Sequence, residues 1–161
     1  MDLEVRLYTG RAENELRLSN ALFNLSKNSK LKIELGANES DTFYSAVISH
    51  AYYSIFYAAK ALLLTKNVRT KPPDVHKKTY EEFKKHFVDT GLLDVELLKI
   101  YHTMIVRADE LLSLFRLEKE KRSRFTYHTL AQANIPYAEE SIKNARKFLE
   151  NIMEIIRRSC K

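Results

Sequence analysis

The stretch Phe43 to Leu64, FYSAVISHAYYSIFYAAKALLL, most constrains the fold, because aromatic, alanine and leucine residues fall on almost every side of a helix and neither glycine nor proline interrupts it. A helix apolar nearly all round must be enclosed by other helices. A membrane span fits poorly: Ser45, Ser49, His50, Ser54, Lys60 and the aromatic residues break the aliphatic character over the roughly 20 residues a span requires. The stretch therefore reads as the central helix of a bundle, with no membrane partner.

The remaining pattern is helical as well. Three glycines and three prolines punctuate the chain where helices are expected to stop. A first helix is expected from about Leu3 to Ile33, with a break near Gly10 and Leu18, Leu22 and Leu25 buried. Ser40 or Asp41 then caps the central helix, which ends near Lys66. Lys71, Pro72, Pro73 and Asp74 form a rigid turn, with Asp74 as the next cap. A short helix over Val75 to Asp89 carries Tyr80, Phe83 and Phe87 on one face and closes at Gly91. From Asp94 onward, Leu97, Tyr101, Met104, Ile105, Ala108, Leu111, Leu112 and Phe115 recur at three- and four-residue steps. A last helix starts at Asn134 or Ile135, since Pro136 suits only a first turn, and carries Ile142, Ala145, Phe148, Leu149, Ile152 and Ile156. No segment alternates as a strand would, and no internal repeat is present. The expected architecture is all-α, an antiparallel four-helix bundle with one additional short helix, in a single domain over residues 1–161.

The formal net charge is +6 with a pI near 9.3, and the excess is partly local: Arg116 to Arg124, RLEKEKRSR, holds five basic residues against two acidic ones. Clustered cations gain free energy by displacing counterions from phosphates, so a polyanionic partner is expected. Cys160 is the only cysteine, which excludes an internal disulfide or a cysteine metal cluster. With no apolar leader before Lys32, a cytoplasmic location is the expectation. The five histidines lack the paired spacings of metal motifs and the glycines are isolated, so neither a metal, a cofactor nor a phosphate loop is expected.

Three segments together resemble a known family. HAYYSIFYAAKALLL is similar to the second-helix signature of HEPN-domain proteins, HKKTYEEFKKHFVDTGLLD from His76 resembles the segment that follows it, and RSRFTYH falls where the family often carries an arginine and a histidine. The resemblance covers about Asp41 to Ile156. It implies the bundle fold, a homodimer, and Arg122 with His128 as the catalytic pair of a metal-independent endoribonuclease of toxin–antitoxin type. The chemistry is coherent: an imidazole exchanges protons near neutrality and a guanidinium stabilises charge developing on a phosphoryl group. Arg124 offers a competing alignment with a shorter gap, and Leu130 stands where some subfamilies have a tyrosine that a partner nucleotidyltransferase modifies. Lys121 and Arg124 are candidate contacts to nucleic acid or nucleotide. So are His50, at a position where relatives often have arginine, and Tyr53. A histidine or tyrosine on such an apolar helix is more often a core residue, a histidine there being hydrogen-bonded. The alternative function is a non-catalytic nucleotide-binding module, the helical partner of a minimal nucleotidyltransferase.

Overall fold

A computed structural model describes residues 2–121 and 135–159, with the side chains of 112–121 left aside. Four long helices, α1 (Leu3–Lys27), α3 (Tyr44–Leu64), α5 (Val95–Lys121) and α6 (Ile135–Ser159), are joined by the short α2 (Ser29–Glu34) and α4 (Val75–Phe83). A single π turn, Lys84–Val88, continues α4. No strand occurs among the described residues. Helix α3 lies at the centre, packed on α1, α4, α5 and α6. It is long and apolar enough to cross a membrane by length and composition, yet 72% of that window is buried inside the bundle.

The pairing of α1 with α3 rests on small residues. Val5, Ala12, Ser19 and Ser26 recur every seven positions along α1 and are all buried. They face an α3 rich in Ala51, Ala58 and Ala59, each wholly buried. Two hydroxyls cross the seam, Ser19 Oγ donating to the Val47 carbonyl at 2.8 Å and Ser54 Oγ to the Ala12 carbonyl at 2.8 Å. These bonds run in opposite sequence directions, so the helices are antiparallel. This corrects the expectation that Leu18, Leu22 and Leu25 form the buried face of α1. Leu18 is 39% exposed and the other two are only half-buried, because backbones brought this close leave no room for leucine in the seam.

Local boundaries differ from expectation for identifiable reasons. Helix α1 runs through Gly10 and stops at Asn28, whose backbone N–H bonds the Leu25 carbonyl and whose side chain accepts from the Leu31 N–H. One asparagine thus closes α1 and opens α2. Neither Ser40 nor Asp41 caps α3. The Phe43 N–H is instead received by the Ser26 hydroxyl of α1 at 2.9 Å, while Asp41 accepts from the Asn38 N–H within the preceding turn. Asp74 makes no side-chain cap; it adopts a left-handed φ of 58°. Gly91, at φ 72°, closes the turn after the π segment as expected. Asp94 caps α5 through the Glu96 N–H at 2.8 Å. The apolar stripe of α6 is buried residue for residue as its spacing requires. Phe148 from that stripe meets Phe83 and Tyr101 in an aromatic core, at 5.5 and 5.7 Å between ring centroids.

Lys32 is 4% exposed, although it is a lysine. Its ammonium is received by the carbonyls of Ser26 at 3.3 Å, Glu39, and Asp41 at 3.0 Å, tying the end of α1 to the loop that feeds α3. Lys32→Met should cost at least about 2 kcal/mol in urea denaturation, since three buried acceptors lose a charged donor. Ala12→Leu should cost about 1–3 kcal/mol by overpacking the seam, whereas Leu18→Ala should stay within about 0.5 kcal/mol.

Candidate nucleic-acid interface

Because 14 residues of α3 are buried, its open surface is narrow. Beyond Ser45 in the first turn, it consists of Ala46, the adjacent Ser49 and His50, Tyr53, Tyr57 and Lys60, each three or four residues from another of the set, so they form one stripe. Tyr53 is the most open of these, 38% exposed. Helix α1 borders the stripe with Glu15, Arg11, Tyr8 and Glu4, and α4 borders it with His76.

At one end His50 Nδ1 lies 2.6 Å from Glu15 Oε2, both side chains half-buried. A carboxylate on one ring nitrogen makes that nitrogen the N–H donor and leaves Nε2 as the free site. In the middle, Tyr53 stacks with Tyr57 at 6.1 Å, and Tyr57 stacks with Tyr8 at 6.0 Å. Arg11 sits 5.8 Å from the Tyr8 ring and 5.6 Å from the Tyr57 ring. Lys60 sits 4.8 Å from Tyr8 and 5.7 Å from Phe56. Among the described residues neither Arg11 nor Lys60 forms an ion pair with a carboxylate; both are placed over rings.

Behind the stripe, Tyr52 is buried and its hydroxyl meets His76 Nδ1 at 2.8 Å. Burial, followed by the neighbouring Tyr53 and Asp109, raises the Tyr52 pKa far enough that the hydroxyl stays protonated and donates. Burial and then the Lys60 charge lower the pKa of His76, so its ring is neutral at neutral pH and accepts at Nδ1. The ring stacks on Phe56 at 4.1 Å, which seats α4 on α3.

Of the residues singled out from sequence, His50 and Tyr53 stand together on the stripe. Lys121 ends α5, and Arg122, Arg124 and His128 lie outside the described residues. Of the tyrosines in the α3 run, Tyr52 is core, Tyr57 half-buried and Tyr53 open. His102 is exposed, and His86 is half-buried against Glu82 at 3.0 Å. Sequence reasoning missed Tyr8, Arg11 and Glu15 of α1. Their three- and four-residue spacing marks one helix face, but nothing local ties that face to α3. Among the described residues no cluster of histidine, cysteine and acidic side chains has the makings of a metal site.

Comparison with known proteins places this geometry in context. The HEPN domain family model matches residues 15–158, a span that includes most of the stripe and the RSRFTYH segment. A Methanocaldococcus jannaschii protein named "Putative toxin MJ0142" is 38% identical over 86 residues, 53% of this chain and 56% of that protein. A second from that organism, "Putative toxin MJ0605", is 30% identical over 110 residues, 68% of this chain and 74% of its own length. A Thermotoga maritima "UPF0332 protein" is 28% identical over 118 residues, 73% of this chain and 76% of its own. The chain thus spans little more than half of the first of these relatives. No solved structure matches.

The neutral state of His76 gives a testable pH dependence. The folded protein resists protonating it, while the unfolded chain takes up a proton below its usual value near 6.5. The stability it contributes is therefore present above about pH 6.5 and declines as pH falls toward the lowered folded value. His76→Phe keeps the stacking without the titration. The stability gap between wild type and this variant, measured by urea denaturation at pH 7.5 and pH 5, should shift against the wild type on acidification.

Proposed function

The chain belongs to the HEPN domain family, and on that premise we propose that it is a toxin-type protein acting on RNA, binding single-stranded RNA along the α3 stripe and cleaving it without a metal. The observation that carries the binding half is the stripe itself. An otherwise enclosed helix keeps one open face, and that face with its α1 border collects an exposed tyrosine, two cations unpaired with carboxylates among the described residues, and a carboxylate-held histidine. Bases stack on aromatic faces whatever their sequence, and cations track the phosphates, which is how single strands are held without base readout. Two relatives carrying the word toxin in their names support the toxin assignment.

The cleavage half rests on Arg122 and His128 at the family's spacing. The ribose 2′-hydroxyl attacks the adjacent phosphorus, its proton passing to a basic group, while the bond to the 5′-oxygen breaks and that oxygen takes up a proton. The products are a 2′,3′-cyclic phosphate and a 5′-hydroxyl. His128 serves as the proton-exchanging group and Arg122 stabilises the charge gathered on phosphorus in the transition state. The active form is a homodimer, in line with the resemblance.

Incubation of the protein with RNA in the presence of chelator should yield cleavage that His128→Ala abolishes and Arg122→Ala slows by at least about 10²-fold. Tyr53→Ala should weaken RNA binding by about tenfold, the value of one lost stacking contact, with an unchanged circular dichroism spectrum. Cleavage that survives both active-site substitutions, or that chelator removes in the wild type, would overturn the catalytic assignment. Absence of cleavage together with tight binding of a nucleotidyltransferase would favour the module reading.

A further inference from the structure

At the end of the stripe opposite His50, helices α1 and α3 and the loop over residues 65–74 enclose a cavity of about 130 Å³. Its polar wall is formed by Glu4, Tyr8, Lys60, Arg69, Thr70 and Lys71. Three cations thus share the cavity with one carboxylate, and that carboxylate is already paired: Glu4 bonds Arg69. Lys60 and Lys71 have no carboxylate partner among the described residues. The Lys60 ammonium donates to the Thr70 carbonyl at a long 3.5 Å.

A concave site with surplus cations selects an anion. Its size narrows the choice. The cavity falls well below the roughly 300 Å³ at which pockets begin to enclose whole small molecules. It takes one group of a ligand. We propose that it is a phosphate-binding subsite, holding a phosphate monoester between Lys60 and Lys71 while the attached nucleoside lies outward against the Tyr8 and Tyr57 rings. Lys60 stands ten residues from His50 on the same helix, about 15 Å along the axis, a distance that a short single strand covers. That the phosphate belongs to an RNA end rests on the function proposed above; recognition of the phosphate does not.

The test compares two matched pairs by calorimetric titration of the full chain: adenosine monophosphate against adenosine, and a 5′-phosphorylated tetra-adenylate against its 5′-hydroxyl twin. The expected result is a preference of about tenfold or more for the phosphorylated member of at least one pair, lost in Lys60→Gln and in Lys71→Gln. Because Lys60 also packs on two rings, the exposed Lys71 gives the variant that leaves the bundle intact, and thermal melts of both verify folding. Preference in the mononucleotide pair alone sustains the subsite and identifies a free nucleotide as its ligand. Equal affinity within both pairs overturns the proposal, as does a preference that persists in both variants. Should the protein cleave RNA while showing no phosphate preference, the subsite falls and the RNA reading stands.

Discussion

The close approach of α1 to α3 is the contact on which the rest of the bundle depends. Two serine hydroxyls, Ser19 and Ser54, each reach across to a carbonyl of the opposite helix, and both bonds are 2.8 Å long. Such reach is possible only where alanine and serine line the seam, since a larger side chain would hold the backbones apart. With α1 drawn in on one flank, the remaining flanks of α3 receive α4, α5 and α6, whose apolar stripes have α3 as their common target. The Ser26 hydroxyl extends the same logic to the start of α3, where it receives a backbone N–H that no side chain of α3's own approach segment satisfies.

How much of this was legible in the sequence depended on whether an element declares itself by size or by smallness. Helices α5 and α6 announce their buried faces with large apolar residues at helical steps, and Ile142 to Ile156 are buried where that spacing puts them. Helix α1 misleads because its leucines are conspicuous and its seam is not. Val5, Ala12, Ser19 and Ser26 hold a seven-residue period that hydropathy alone does not register. Caps were misjudged for a related reason. Ser40 and Asp41 are good local candidates, but the Phe43 N–H that leads into α3 is received by a residue 17 positions upstream, and tertiary bonds of that kind leave no local trace.

The candidate site divides along the same line. His50 and Tyr53 could be picked out because they sit in a motif-like run on α3. Glu15, Arg11 and Tyr8 could not, since an ordinary charged face of α1 acquires meaning only when the antiparallel seam brings it beside that run. The cation placement is likewise a product of packing: Lys60 lies in sequence among alanines and leucines, where it reads as an interruption, and in space over Tyr8 and Phe56.

The narrowness of the open face on α3 bears on how a protein of this design can diverge. Substitution at most positions of that helix meets packed neighbours and is screened for volume before chemistry is tested at all. Ala46, Ser49, His50, Tyr53, Tyr57 and Lys60, less than fully buried, meet that screen only in part, and they lie along a single line. Changes in what the central helix recognises are therefore confined to about six letters, while the facing side of α1 varies under far looser steric control. New binding preferences in such a bundle arise most readily as paired changes, one letter on the line and one across from it, with the architecture untouched.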